Sequence, residues 1–352
     1  MDITAGTLIN GVKARTGASL ISAFDNAAVL KDEVNKKAAN TVISHQNCSA
    51  PIGVFDSGIG GLSVYVHLAQ QLPAERYVYY ADTLNVPYGN RDSADIETLT
   101  LKAVEWLCKQ GCKLIVIACN SASAYALEAA RHRYPQVPIV GLVPALKPAI
   151  LASKSGRVAV LATKATLNGT LLNDVIHNFA TPNRTIVTKY FDPQLVPWVE
   201  AGMPEQDDTA LHLRQQLQVF ADDGIDQLVL GCTHYPFFKA FLLDEIAQQQ
   251  LSMQVVDSGQ AIAERVKQLL VQNQLSAFFH NGADNDCVND SGTNGNCVDN
   301  SYIDNNHLDT ISETNVIIRP PLTFYATKYD EKLGVLIEHL LGKDTVLKYY
   351  VE

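Results

Sequence analysis

From Pro51 onward the apolar residues fall into a repeating pattern. Short runs that are apolar throughout end in small polar residues, and behind each comes a stretch in which apolar residues return every three or four positions. Residues 52–55 are the first such run, Asp56-Ser57-Gly58-Ile59-Gly60-Gly61 is the turn behind it, and 62–72 carries the first helical spacing. A second strand over 77–81 is separated by a polar loop, 82–91, from a helix over 94–110 that Gly111 ends. The run Leu114-Ile115-Val116-Ile117-Ala118 leads into Cys119, then a helix over 124–131 and a strand over 138–141. Runs this short cannot fill a helix core, and their lack of polar alternation predicts strands covered on both faces of a parallel sheet. Repeated strand–helix units of this length predict right-handed crossovers.

The pattern then restarts. Residues 157–162 form another apolar run, Thr163-Lys164-Ala165-Thr166 turns into a helix, and Gln227-Leu228-Val229-Leu230-Gly231 ends at Cys232 as the earlier run ended at Cys119. A helix over 237–247, a strand over 253–256 and a helix over 260–270 follow. Phe55 and Leu161 stand 106 residues apart, and Cys119 and Cys232 stand 113 apart. Offsets so alike predict an α/β fold of two similar domains with mostly parallel sheets, related by pseudo-twofold symmetry, with the active site in the interdomain cleft. The expected bounds are 51–143 plus 257–352 for the first domain and 144–256 for the second. Residues 1–50 form an N-terminal extension in which 27–39 has the composition of a solvated helix. Residues 281–315 break the rhythm with nine Asn, six Asp and no Lys or Arg, as a mobile insertion would. Oxygen ligands there do not fall in the register of a calcium loop. Order is expected again at 315–318 and 322–326, with a closing helix over 330–341.

Length and composition narrow the picture. A chain of 352 residues is long enough for two cores. With 47% hydrophobic and 18% charged residues it reads as a soluble globular protein. A net charge of −10 without a basic stripe argues against nucleic-acid binding. No run reaches the roughly 18 apolar residues that would span a bilayer, and no secretory signal is recognisable. Seven irregularly spaced cysteines make no disulfide framework, so a reducing cytoplasm is the expected location.

Two of those cysteines carry the chemistry. Cys119 and Cys232 each fall at the carboxyl end of a predicted strand and before a helix, where ligands of open α/β sheets bind. Inverting a carbon next to a carboxylate needs two groups on opposite faces of the substrate, one deprotonated and one protonated. A thiol with an ordinary pKa of about 8.5 needs only modest help from a helix N-terminus to do this near neutrality. Free cysteines are ordinarily small buried hydrophobes, but two in matched contexts, each followed by polar residues, favour function. His234 can hold or pass the proton of Cys232, and Asp56, in a strand-end turn, is the candidate for the mirrored role, although Asp before Gly is commonly a turn former. The backbone N–H groups of Ser57-Gly58-Ile59-Gly60-Gly61 suit a carboxylate. That stretch does not match a dinucleotide fingerprint, and Cys119, Cys232 and His234 lack the close ligand pair of a zinc site. No metal or cofactor is therefore expected. Cys48, Cys108, Cys112, Cys287 and Cys297 look incidental, and Tyr77, Tyr79 and Tyr80 read as strand packing.

Four stretches in this order, Gly53-Val54-Phe55-Asp56-Ser57-Gly58-Ile59-Gly60-Gly61, Pro87-Tyr88-Gly89, Ala118-Cys119-Asn120 and Gly231-Cys232-Thr233-His234-Tyr235-Pro236, resemble the glutamate racemases. These belong to the aspartate/glutamate racemase superfamily, need no cofactor, and make D-glutamate for bacterial peptidoglycan. The resemblance covers roughly 52–275 and resumes near Thr323. It implies that Cys119 and Cys232 exchange protons with L- and D-glutamate, assisted by Asp56 and His234. It also implies that Ser57, Tyr88, Gly89, Asn120, Ser121 and Thr233 hold the substrate's carboxylates and ammonium, with Asp56 and His234 beside them. Family members usually carry threonine where this chain has Ser121, which keeps the hydroxyl and loses a methyl. The N-terminal extension resembles that of members activated by UDP-N-acetylmuramoyl-L-alanine, which makes that precursor a candidate activator. Monomer and homodimer both remain open. A racemase for another amino acid such as aspartate, or a non-catalytic dicarboxylate-binding protein, are the rival readings; His234 and Pro87-Tyr88-Gly89 favour glutamate.

Overall fold

The computed structural model describes residues 48–204, 206–277, 322–328, 333–335 and 337, with the backbone of Val346–Tyr349. The expected helix over 27–39, the insertion 281–315 and the strand over 315–318 lie outside the described residues. Of the closing helix only 333–335 and 337 are described, and they are helical. All described residues belong to one compact unit, 47–352.

Two sheets organise that unit. The first contains β1 (Ile52–Asp56), β2 (Tyr77–Ala81), β3 (Leu114–Ile117), β4 (Ile139–Gly141), β9 (Leu322–Ala326) and β10 (Val346–Tyr349), in the order β10-β9-β2-β1-β3-β4. The second contains β5 (Arg157–Ala162), β6 (Ile186–Tyr190), β7 (Gln227–Gly231) and β8 (Gln254–Val256), in the order β6-β5-β7-β8. Every strand pairing among the described residues is parallel. The order β2-β1-β3-β4 is thus repeated as β6-β5-β7-β8, and β9 and β10 extend only the first sheet. The central strands β1, β3 and β7 are buried at every position, as uniformly apolar runs between covering helices must be.

The helices of the first half are α1 (Leu62–Gln71), α2 (Ser93–Lys109) and α3 (Asn120–Arg133). Those of the second are α4 (Leu146–Ala152), α5 (Lys164–Asn168), α6 (Thr170–Val175), α7 (Leu195–Glu200), α8 (Asp208–Asp222) and α9 (Lys239–Gln248), and α10 (Gly259–Gln272) follows β8. α10 returns to the first sheet, where Ile262, Ala263, Val266 and Leu270 join Leu62, Tyr65 and Leu68 of α1 in one core. Strand β6 and helices α4, α7 and α8 have no counterpart in the sequence reading, and the helix expected after 163–166 is broken into α5 and α6. β6 is an edge strand with Ile186 and Lys189 exposed, so it carries no continuous apolar run.

Two further features differ from expectation. α3 begins at Asn120, four residues earlier than its apolar spacing indicates. Small polar residues fill that first turn; the Ser123 hydroxyl donates to Ile117 O (3.0 Å) and accepts from Leu142 N–H (2.9 Å), so the turn is buried rather than solvated. After Cys232 the chain first makes a tight turn, Tyr235–Phe238, and only then enters α9. The two connections between the sheets are tied together where the Ser258 hydroxyl donates to Val143 O (2.9 Å).

Candidate active site

The carboxyl ends of β1, β3, β5 and β7 converge on one narrow slot. Ser57, Val86, Pro87, Tyr88, Gly89, Cys119, Asn120, Ser121, Thr163, Val196, Cys232, Thr233 and His234 line it. Both thiols therefore border the same space, and with them seven of the other eight residues singled out from the sequence. The eighth, Asp56, lies just behind the wall and is fully buried.

Local structure explains how each group is presented. Cys119 ends the run begun by β3 and is the N-cap of α3; the Ala122 N–H points at its sulfur, and Ser57 Oγ lies 3.7 Å from it. Cys232 follows β7, with its sulfur 3.9 Å from His234 Nδ1. Asp56 forms the expected turn, Oδ1 accepting from Gly58 N–H at 2.7 Å, while Oδ2 reaches across to accept from Thr233 Oγ1 at 3.0 Å. That first bond takes the Gly58 N–H out of the set of Ser57–Gly61 amides expected to suit a carboxylate. Tyr88 also behaves differently from expectation. Its hydroxyl turns away from the slot and donates to Asp82 Oδ2 at 2.6 Å. Tyr88 and Gly89 instead open a tight helical turn, Tyr88–Asn90, whose first N–H groups have no intrahelical acceptor. Asn120 is 5% exposed and its Nδ2 has no hydrogen-bond partner among the described residues. A buried donor left so costs about 1–3 kcal/mol unless a ligand oxygen accepts from it.

Charge is distributed unequally between the thiols. Burial pushes the Cys119 thiol up to about 12, with the nearby Asp56 carboxylate adding to the shift and the Ala122 N–H and Ser57 hydroxyl opposing it. The helix N-terminus thus acts as anticipated but loses to desolvation, so the expectation of a thiol poised near neutrality does not hold for Cys119. Burial alone would pull the His234 imidazole down; hydrogen bonds to Cys232 and Glu200, and the charges of Cys232 and Asp56, outweigh it and hold the ring at about 10. Burial raises the Asp56 carboxyl to about 6, although His234, the Gly58 N–H and the Thr233 hydroxyl favour its ionised form. One side of the slot therefore carries a neutral thiol, and the other a protonated imidazole next to the Cys232 sulfur.

Four residues of the site escaped the sequence reading. Glu200, at the end of α7, accepts from His234 Nε2–H through Oε1 at 3.3 Å. Val196 of the same helix forms an apolar wall of the slot. Nothing local marks either residue. Thr163 directly follows β5; it caps α5 and its hydroxyl lies 2.9 Å from Ser121 Oγ, joining the two halves. Asp82 follows β2 in the same manner, its carboxylate shared by Tyr88, Asn85 and Thr327. The repeat and the strand-end position were the signals that mark these two. Among the described residues no cluster of three or more His, Cys, Asp and Glu side chains is arranged to hold a metal ion.

Comparison with known proteins places this geometry in context. The family model for Asp/Glu/hydantoin racemases matches residues 52–266. A glutamate racemase of Deinococcus radiodurans is 48% identical over 225 residues, 64% of this chain and 76% of the relative. The crystal structure of the Francisella tularensis glutamate racemase in complex with D-glutamate superposes with a TM-score of 0.65 at 26% identity, covering 86% of this chain and 98% of that one. The Escherichia coli enzyme in complex with L-glutamate and the activator UDP-MurNAc-Ala gives 0.63 at 27% identity, with the same coverage of 86% and 98%.

Proposed function

The chain belongs to the Asp/Glu/hydantoin racemase family, and from that premise we propose that it interconverts L- and D-glutamate by passing protons through Cys119 and Cys232. It is a glutamate racemase, an isomerase acting on an amino acid. The observation that carries the mechanism is the single slot bordered by both thiols.

The chemistry runs as follows. One sulfur, as thiolate, takes the α-proton from one face of the bound amino acid, leaving a carbanion whose charge spreads into the adjacent carboxylate. The other, as thiol, returns a proton to the opposite face, and the substrate leaves as its mirror image with the two sulfurs' protonation states exchanged. Cys119 rests as a thiol, and the protonated His234 beside the Cys232 sulfur offsets the negative charge that sulfur carries when it acts as the base. Asn120 Nδ2 and the Tyr88 and Gly89 N–H groups are the donors we assign to the substrate carboxylates, with Ser57, Ser121 and Thr233 completing the polar lining.

Incubation with D-glutamate in D₂O tests the reading directly. Deuterium at the α-carbon together with decay of optical rotation is expected; binding without exchange would mean a receptor, and exchange of aspartate in preference to glutamate would mean another racemase. The pH profile offers a second check. For the free enzyme, kcat/KM is expected to rise through about 6 as Asp56 ionises and to fall through about 10 as His234 loses its proton. Glu200→Gln removes one of the groups that raise His234 and the weakest of those that raise Asp56, so the alkaline limb should move clearly to lower pH and the acidic limb slightly in the same direction. An unmoved alkaline limb would detach Glu200 from the site.

Several wider assignments rest on the same premise. The two sheets support a division into domains at 51–143 plus 257–352 and at 144–256. We assign the D-glutamate to peptidoglycan synthesis and the enzyme to the cytoplasm, where Cys119 and Cys232, both free, stay reduced. No helix among the described residues is long and apolar enough to cross a membrane. The complex of the Escherichia coli relative supports UDP-N-acetylmuramoyl-L-alanine as an activator of this chain; adding it to a steady-state assay and finding no change in rate would remove that assignment.

A further inference from the structure

Tyr77 and Tyr79 read from the sequence as strand packing, and their rings do pack. Tyr77 lies edge-on to Tyr65 at 5.2 Å between centroids, and Tyr79 is stacked on Phe324 of β9 at 4.7 Å with only 11° between planes. Their hydroxyls do more. Two positions apart on β2, both side chains leave the same face of the sheet, toward α1. The Tyr77 hydroxyl reaches the carboxyl end of that helix and donates to Leu68 O (3.1 Å) and Leu72 O (3.2 Å). The Tyr79 hydroxyl reaches the other end. It donates to Gly58 O at 3.0 Å, and the N–H groups of Gly61 and Leu62 point at the Tyr79 hydroxyl oxygen.

The turn above Tyr79 is the one that carries Asp56 and Ser57. Its second part is tied to α1 through Ile59 O and Gly60 O, which accept from Leu62 and Ser63 N–H at 3.0 Å each. Its first part is held through Gly58, whose N–H donates to Asp56 Oδ1 and whose carbonyl accepts from Tyr79. The fit beneath is close: a Cβ on Gly61 would lie 2.7 Å from the Tyr79 oxygen and 2.9 Å from Asp56 Cβ. We propose that Tyr79 is a positioning residue of the reaction: by fixing the Gly58 carbonyl it sets the neighbouring N–H that orients Asp56, and with it the placement of Ser57 against Cys119. It lies behind the slot and acts only through those two residues. Burial keeps its phenol protonated far above the working range, so the donor is constant with pH.

This inference rests on the racemase reading, and the experiment separates the two. Racemisation of glutamate is measured across pH for the wild type, Tyr79→Phe and Tyr77→Phe. Tyr77→Phe removes the same group from the same face at the far end of the same helix, and so reports what loosening α1 does by itself. Tyr79→Phe keeps the ring and its stack on Phe324. The expected result is a fall in kcat of about tenfold for Tyr79→Phe, with the acidic limb of its kcat/KM profile displaced to higher pH. The displacement follows because a carboxylate without its fixed N–H donor is harder to ionise. Tyr77→Phe is expected to leave that limb where the wild type has it. A Tyr79→Phe profile superimposable on wild type, or an equal displacement in both variants, overturns the assignment. A wild type that does not racemise glutamate would instead strike the functional reading itself.

Discussion

Cys119→Ala and Cys232→Ala are each expected to lower racemisation by about 10³-fold or more while the protein stays folded. The reasoning is stereochemical. A proton removed from one face must be replaced from the other, and the slot brings one sulfur from the end of β3 and one from just beyond β7. Without either, the carbanion has no donor on that side. Both cysteines are small and lie at the edge of the slot, 5% and 7% exposed, so alanine leaves little new void. The two variants should nevertheless differ. Cys119→Ala keeps Cys232 with its protonated His234, and Cys232→Ala keeps a thiol that burial holds at about 12. Exchange of the α-hydrogen with D₂O, measured separately for each enantiomer, is expected to persist more readily in Cys119→Ala, and for one enantiomer only. Racemisation at the wild-type rate by either variant would remove that thiol from the reaction.

Much of the frame was legible because it depends on local pattern. The bounds of β2 and β5 follow from their apolar runs, and the likeness of the two halves, seen in the matching orders β2-β1-β3-β4 and β6-β5-β7-β8, follows from the repeat that the cysteine spacing announced. β6 was not legible, since an edge strand shares its faces with solvent and loses the uniform apolar signature. Among site residues, those attached to strand ends by short motifs stood out, whereas Glu200 reaches His234 from a helix 34 residues away in sequence. The ionisation of Cys119 was misjudged for a different reason. A helix N-terminus can be read from the sequence, but the completeness of desolvation depends on how two halves close over one sulfur, and that term is the larger. The Tyr88 hydroxyl is a similar case, because its partner Asp82 and the β9 residue Thr327 meet only in the folded first sheet.

Gly60→Ala is expected to cost about 10²-fold in kcat/KM, for a reason that lies in the seam between the halves. A Cβ at position 60 would stand 2.5 Å from Thr233 Oγ1 and 2.6 Å from His234 Nδ1, closer than non-bonded atoms approach. Neither neighbour can yield without consequence. Thr233 Oγ1 donates to Asp56 Oδ2, and turning it away strips Asp56 of one of the bonds that favour its ionised form. His234 is held between Cys232 at Nδ1 and Glu200 at Nε2, so displacing the ring separates the imidazole from the sulfur it serves. The alternative is for the two halves to part slightly, which widens the slot between the thiols and misplaces both at once. Overpacking of this kind also destabilises by about 1–3 kcal/mol, so a thermal melt accompanies the rate measurement. Gly58→Ala serves as the comparison, since a Cβ there meets Val86 Cγ2 at 3.4 Å, an ordinary contact, and its rate should fall much less. If Gly60→Ala racemised within about threefold of the wild type, the close approach of the two halves would not be what holds Asp56, Thr233 and His234 in working order.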